Sequence, residues 1–148
     1  MKYTKHLLSF LIIIASVFFY SFTQPPKPTF KVVGKALNNE TFKKNGKLDK
    51  SEIFIKNISN HPIQIEWKNT KNTMPPNWDY SMCAYGRCHI GIPKTSSFKK
   101  MIAPGEEGFI ILHVFPKGAS GSALVEFELF DIKQPAFKKK IKFNLQAI

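Results

Sequence analysis

The sharpest chemical possibility in this 148-residue chain is Cys83-Ala-Tyr-Gly-Arg-Cys88, with His89 immediately after it. Bonded to each other, the two thiols close a small loop whose Tyr85-Gly86 centre is suited to a turn. Left as thiolates beside His89, they form a lengthened version of the Cys-x-x-Cys-His haem-attachment motif. With His61 or His113 added, the same atoms supply the donor types of a zinc or copper site. No second close pair of donors supports the metal reading, and oxidation removes the thiolates. Thioredoxin-like redox chemistry needs two intervening residues at a helix start, and the chain offers neither. The expectation is a Cys83–Cys88 disulfide, with no metal site and no cofactor.

Around the cysteines lie Trp78, Tyr80, Tyr85 and Arg87, which are candidate binding residues. Flat rings with a polar tip can stack on sugars, and a guanidinium can hold an anion. The competing reading places Trp78 under the chain as packing. Glu126 and Glu128 stand two apart, on one face of a strand. Paired carboxylates can share acid and base roles, but a wet stripe of acids is commoner. His113 sits in an apolar strand, and His61 precedes Pro62 in a turn. No serine has a His/Asp context and no glycine-rich phosphate loop occurs. No catalytic residue is assigned, and the chain reads as a non-enzyme.

The compartment follows from the N-terminus. Lys2 and Lys5 precede an apolar run at residues 7–22, and Ser21-Phe22-Thr23 is an acceptable small-x-small cleavage site. Residues 1–23 read as a secretory signal peptide, with an uncleaved anchor as the alternative; residues 24–29 are a proline-rich lead-in. Export permits a disulfide. It implies a secreted, periplasmic or cell-envelope location, with membrane attachment only if the signal is retained. The formal charge is +12, and losing Lys2 and Lys5 lowers it by two to +10. Such a balance favours anionic surface polymers as partners. The lysines are nevertheless spread along the chain, as on an ordinary solvated surface, and nucleic acid is not expected.

The elements that must position these residues are strands. Residues 30–37 begin with Phe30 and Val32 alternating with Lys31 and Val33. Residues 38–50 are polar and read as a loop or ragged hairpin around Asn45-Gly46. Ile53 and Ile55 mark a strand over residues 51–58. Ile63, Ile65 and Trp67 alternate with Gln64, Glu66 and Lys68, the cleanest period-two pattern in the chain. Residues 74–89 read as a long, cysteine-stapled connection, and residues 97–102 as a short strand. Ala103-Pro104-Gly105-Glu106 suits a type II turn. Residues 109–115 are almost continuously apolar, as expected of a strand covered on both faces. Val125, Phe127 and Leu129, then Ile141 and Phe143, continue the alternation. Asn39-Glu40-Thr41 and Asn57-Ile58-Ser59 match the glycosylation sequon, a pattern short enough to recur by chance. The expected core is Ile53, Ile55, Ile63, Ile65, Trp67, Leu112, Val114, Val125, Phe127, Leu129, Ile141 and Phe143. No segment carries a helical period. About seven strands separated by turns predict an all-β, immunoglobulin-like sandwich over residues 30–148.

Four pieces carry a resemblance. They are the run Ile55-Lys-Asn-Ile-Ser-Asn-His-Pro-Ile-Gln-Ile-Glu-Trp67, the turn Ile102-Ala-Pro-Gly-Glu106, the strand end Phe115-Pro116, and Gly121-Ser-Ala-Leu-Val-Glu-Phe127. In this order they resemble bacterial immunoglobulin-like modules of the abnormal-spindle/hydin and major-sperm-protein type. The resemblance implies a sandwich that acts as a binding or spacer domain without catalysis. Three functions follow as expectations: an exported binding or accessory module, a small cationic protein that binds anionic glycan or envelope surface, and a haem or metal protein using Cys83, Cys88 and His89.

Overall fold

A computed structural model describes residues 27–148. The expected signal segment and the start of the proline-rich lead-in lie outside them. Two five-stranded sheets face each other. Sheet one holds β1 (Phe30–Val33), β3 (Asp49–Asn57), β8 (Glu107–Phe115), β5 (Asp79–Ala84) and β6 (Arg87–Ile90), in that spatial order. Sheet two holds β2 (Leu37–Phe42), β10 (Gln134–Ala147), β9 (Gly121–Asp131), β4 (Ile65–Asn72) and β7 (Thr95–Ser97). Neighbours run antiparallel except β2, which lies parallel to β10.

Alternation builds the core. In β8 the residues Ile110, Leu112 and Val114 face inward, and in β9 Ala123, Val125, Phe127 and Leu129 do the same. Every residue of the expected core is at most 3% exposed. One large apolar side chain buried this way contributes about 1.5–3 kcal/mol. A disulfide closing so short a loop contributes about 2 kcal/mol in the chain-entropy model. The bridge therefore weighs about as much as one core residue, and the sheets hold themselves.

Four segments differ from expectation. The short strand read over residues 97–102 is instead β7, which ends at Ser97, and Ile102 makes only an isolated bridge to Ile63. The predicted first strand is two strands, because Gly34 turns at φ +73° and carries the chain from sheet one to sheet two. The polar stretch after it includes β2, whose Leu-Asn-Asn-Glu-Thr-Phe has no apolar alternation; its order comes from pairing with β10. Residues 74–89 are not one long connection. They contain β5 and β6, and β5 lies inside sheet one between β8 and β6. Among the described residues the count is thus ten strands, against about seven expected.

Asn57 ties the turns at one end. Its side-chain amide donates to the carbonyls of His61 at 2.8 Å and Ile102 at 2.9 Å. Its Oδ1 accepts from the Ser59 amide at 2.8 Å. Fully buried and with its nitrogen committed, Asn57 is a structural residue rather than a glycan acceptor. Next to it, Glu106 N–H donates to the Ala103 carbonyl at 3.0 Å and Gly105 takes φ +79°, the type II turn read from the sequence.

Candidate functional site

The site grows from the β5–β6 hairpin. Register places Cys83 directly opposite Cys88, with Cα atoms 3.9 Å apart and the sulfurs bonded. Tyr85-Gly86 is the whole loop, and Gly86 takes φ +90°. The loop is also docked: the amides of Lys99 and Lys100 both donate to the Tyr85 carbonyl, at 3.1 and 3.3 Å. A Cβ at position 86 would stand 2.8 Å from Lys100 Cγ and 3.1 Å from Lys100 N, so glycine serves both the φ and the close approach.

Outward from this hairpin runs the outer face of sheet one. Phe109, Ile111 and His113 point out from β8 beside the bridge. With Cys83, Cys88 and Arg87 they line an open groove of about 390 Å³. Register extends the apolar surface sideways: Phe109 is opposite Phe54, and Phe54 is opposite Val33. Phe54 and Val33 are 36% and 37% exposed, and Ile90 on the edge strand is fully exposed. The expectation that β8 is covered on both faces is corrected here. Its inner face is fully buried, whereas the outward Phe109, Ile111 and His113 are only half-buried, with Tyr85 edge-on against Phe109 and no second layer over them among the described residues.

Charges stand at the margin of this band. Lys50 pairs with Glu52 at 3.2 Å and Lys56 reaches Glu107 at 4.0 Å. On the outer face of sheet two, ion pairs lie between the half-buried Leu124 and Phe130. Lys138 bonds Glu128 and Lys142 bonds Glu126, each at 2.9 Å. These hydrogen bonds hold both carboxyls below their ordinary range, with the surrounding lysines adding to the effect and desolvation opposing it. Glu126 and Glu128 thus belong to a wet, ion-paired stripe and face no cavity.

The candidate binding residues are dispersed. Trp78 is 2% exposed, its indole N–H donates to the Ala119 carbonyl at 3.3 Å, and its ring lies against Gly121. It is packing, which corrects its place among stacking residues, and it serves the β8–β9 turn rather than the bridge. Tyr85 is half-buried, its ring 5.6 Å from Phe109 and 6.3 Å from Phe98. Tyr80 is half-buried in β5. The three rings do not form one platform. Arg87 alone of the set stands exposed at the groove.

The haem or metal constellation does not assemble either. Both sulfurs are bonded to each other. Cys88 and His89 are consecutive in a strand, so they point to opposite faces. His89 turns inward, its ring 6.0 Å from Trp67, and its Nε2 is buried without a hydrogen-bond partner among the described residues. Among those residues no group of three or more His, Cys, Asp or Glu could hold a metal ion.

Sequence reasoning missed Phe109, Ile111 and Phe54 as surface. The signal was present: these residues alternate with Ile110, Leu112, Ile53 and Ile55, and a continuous apolar run does not say how many faces are covered.

No family model matches the sequence, and no curated protein matches it. Solved structures do match in shape. The N-terminal domain of PorA aligns with a TM-score of 0.56 at 17% identity, over 80% of this chain and 96% of that one. The ASH / PapD-like domain 7 of human CEP192 aligns at 0.47 and 14% identity, over 86% and 90% of the two chains. WR4, a major-sperm-protein family member of Caenorhabditis elegans, aligns at 0.44 and 10% identity, over 82% and 100%. At these identities the likeness is one of fold. The chain is an immunoglobulin-like β-sandwich that shares its architecture with the PorA N-terminal domain and carries a disulfide-stapled hairpin beside an uncovered apolar groove.

Proposed function

We propose that this chain is an exported, non-catalytic binding module that docks a protein partner on the outer face of sheet one. The observation that carries the reading is the apolar band Val33–Phe54–Phe109 running beside Ile111 and the Cys83–Cys88 bridge. A contiguous exposed apolar surface with a charged rim is the usual mark of a protein contact. The bridge suits this role, since it fixes the edge hairpin and lowers the ordering cost of binding. Export rests on the signal-like residues 1–23 together with the disulfide, which oxidising compartments retain.

The test is site-specific photo-cross-linking in an exporting host. A photoreactive residue at position 54 or 109 should trap one defined protein, and the same residue at Leu124 on the other face should not. Equal trapping from both faces, or none from either, overturns the reading.

A second reading is binding to an anionic glycan or envelope surface. It is favoured by the +12 charge and by the lysines of β10. Its signature is a salt-sensitive interaction that maps to sheet two.

A further inference from the structure

The hairpin that carries the bridge also ends sheet one. No described strand pairs with β6 on the side away from β5. The phase of the backbone bonds decides which groups stand free there. Tyr85 N–H donates to the Phe109 carbonyl in β8 at 3.1 Å, so Ala84 and Met82 turn theirs the other way, to Arg87 and His89. In the same phase, Gly91 N–H donates to the Tyr80 carbonyl at 3.1 Å. Cys88 and Ile90 therefore each aim an N–H and a C=O away from the sheet. Their side chains lie on the outer face, since His89 between them turns inward. Cys88 is exposed and Ile90 fully so.

Edge strands are commonly guarded by shortness, by proline, by bulges or by charge. β6 is short and begins with a cation, Arg87. That charge guards it against another basic chain but not against an acidic one. Residues 80–105 hold Arg87, Lys94, Lys99 and Lys100 and no acid. All four cations are exposed, and none makes an ion pair among the described residues. Lys99 and Lys100 are held against the hairpin tip by their amides, and Lys94 stands on the link from β6 to β7. A second copy of the chain would bring the same four cations to the same edge and be repelled. Cys88 also lines the groove with Cys83, Ile111 and His113, so a strand added to β6 would continue the docking surface.

We infer that β6 takes up an extended acidic segment of a protein partner as an antiparallel sixth strand of sheet one, with two apolar side chains, two residues apart, lying along Cys88 and Ile90. The free N–H and C=O groups of these two residues provide the backbone bonds, and the cations around the edge meet the flanking carboxylates. The inference rests on the docking reading above and names the form of the docked segment.

The test titrates the exported protein with an end-blocked synthetic peptide, Glu-Asp-Val-Thr-Val-Asp-Glu, read by amide shifts and hydrogen exchange. At saturation it should slow exchange of the Cys88 and Ile90 amides about tenfold or more and leave the β1 amides, at the opposite edge, unchanged. Lysine in place of its four acids should weaken it about tenfold or more. Methylating the two valine nitrogens, which face β6, should abolish binding, whereas methylating the threonine nitrogen between them should change it by less than about threefold. Ile90→Pro removes an edge donor that β5 does not use, and should weaken the peptide about tenfold or more beyond Ile90→Ala, with β5 still protected in both. Equal binding of the acidic and basic peptides, equal effects of the two methylations, or protection at β1 instead of β6 would each overturn the inference. So would protection of Cys88 and Ile90 that grows with protein concentration and without peptide, which assigns the edge to a second copy. A partner trapped from position 109 as strongly in Ile90→Pro as in the parent would overturn it while leaving the docking reading intact. No trapping even in the parent overturns the docking reading, and the inference with it.

Discussion

The two outer faces of this sandwich are made by the same geometry and solve opposite problems. On sheet two, outward positions of β9 and β10 hold Glu126, Glu128, Lys138 and Lys142 in cross-strand pairs. On sheet one, outward positions of β3 and β8 hold Phe54, Phe109 and Ile111. Both faces alternate with equally buried inner rows, so folding alone would accept either composition. Exposed ion pairs contribute little to stability, with a median of about 0–1 kcal/mol. Exposed apolar side chains contribute little either, and they cost solubility. The apolar band is the feature on which the proposed docking rests. The contrast between the faces, more than any one residue, directs attention to sheet one.

The largest effect that should separate the faces is on partner affinity. Ile111→Glu should weaken the partner trapped from position 54 by about a hundredfold, as for a buried interface anchor. Leu124→Glu, at a half-buried outward position on sheet two, should change it by less than about threefold. Titration of the purified partner against both variants measures this, and similar losses from both would erase the distinction.

Next in size is the bridge. Replacing Cys83 and Cys88 by serine should cost about 2 kcal/mol or less in urea unfolding. Hydrogen exchange should quicken at Arg87–Ile90, which pairs only with β5, while β5 keeps its protection because β8 holds its other side. Loss of protection throughout β5 and β8 would show that the staple supports the whole sheet.

A smaller effect concerns charge. Retention on heparin should fall steeply at moderate salt, as the Debye length contracts. Lys68→Glu with Lys140→Glu, both on sheet two, should lower the eluting salt more than Arg87→Glu does. Retention that survives high salt would indicate a shaped site.

The smallest effect is acid sensitivity. Glu126 and Glu128 are held below their ordinary value of 4.5, first by hydrogen bonds from Lys142 and Lys138. A carboxyl depressed in the fold contributes stability above its unfolded pKa and loses it as pH falls through the folded one. Urea midpoints should therefore decline as the pH drops below 4.5, and Glu126→Gln with Glu128→Gln should flatten that decline. Both ion pairs lie at the surface with their lysines exposed, so added salt should reduce the difference further. An unchanged acid limb would mean that other carboxyls govern it.

Much of the fold is legible wherever one face is dry and the other wet. Ile63, Ile65 and Trp67 declare their strand because Gln64, Glu66 and Lys68 lie between them. β2 is silent because it is a polar edge strand whose order comes from a neighbour about a hundred residues away in sequence. β5 does alternate, with Met82 and Ala84 buried, but Pro75-Pro76 and the cysteines dominate the stretch and suggest a loop. Trp78 reads equally well as platform or packing, since the residue type suits both. Its place under Gly121 depends on a turn more than forty residues further along.

By itself the sequence determined the all-β class, the core rows and the pairing of Cys83 with Cys88. Each follows from local pattern or from composition: period-two alternation selects strands, and two cysteines in a chain read as exported have only each other. Tertiary structure alone decided which sheet each strand joins, that β5 lies inside sheet one, that β2 is ordered along β10, and that β8 is covered on one face only. These outcomes depend on pairing between strands far apart in the chain. Alternation tells which side chains share a face, but it does not name the neighbouring strand or say whether the second face is covered.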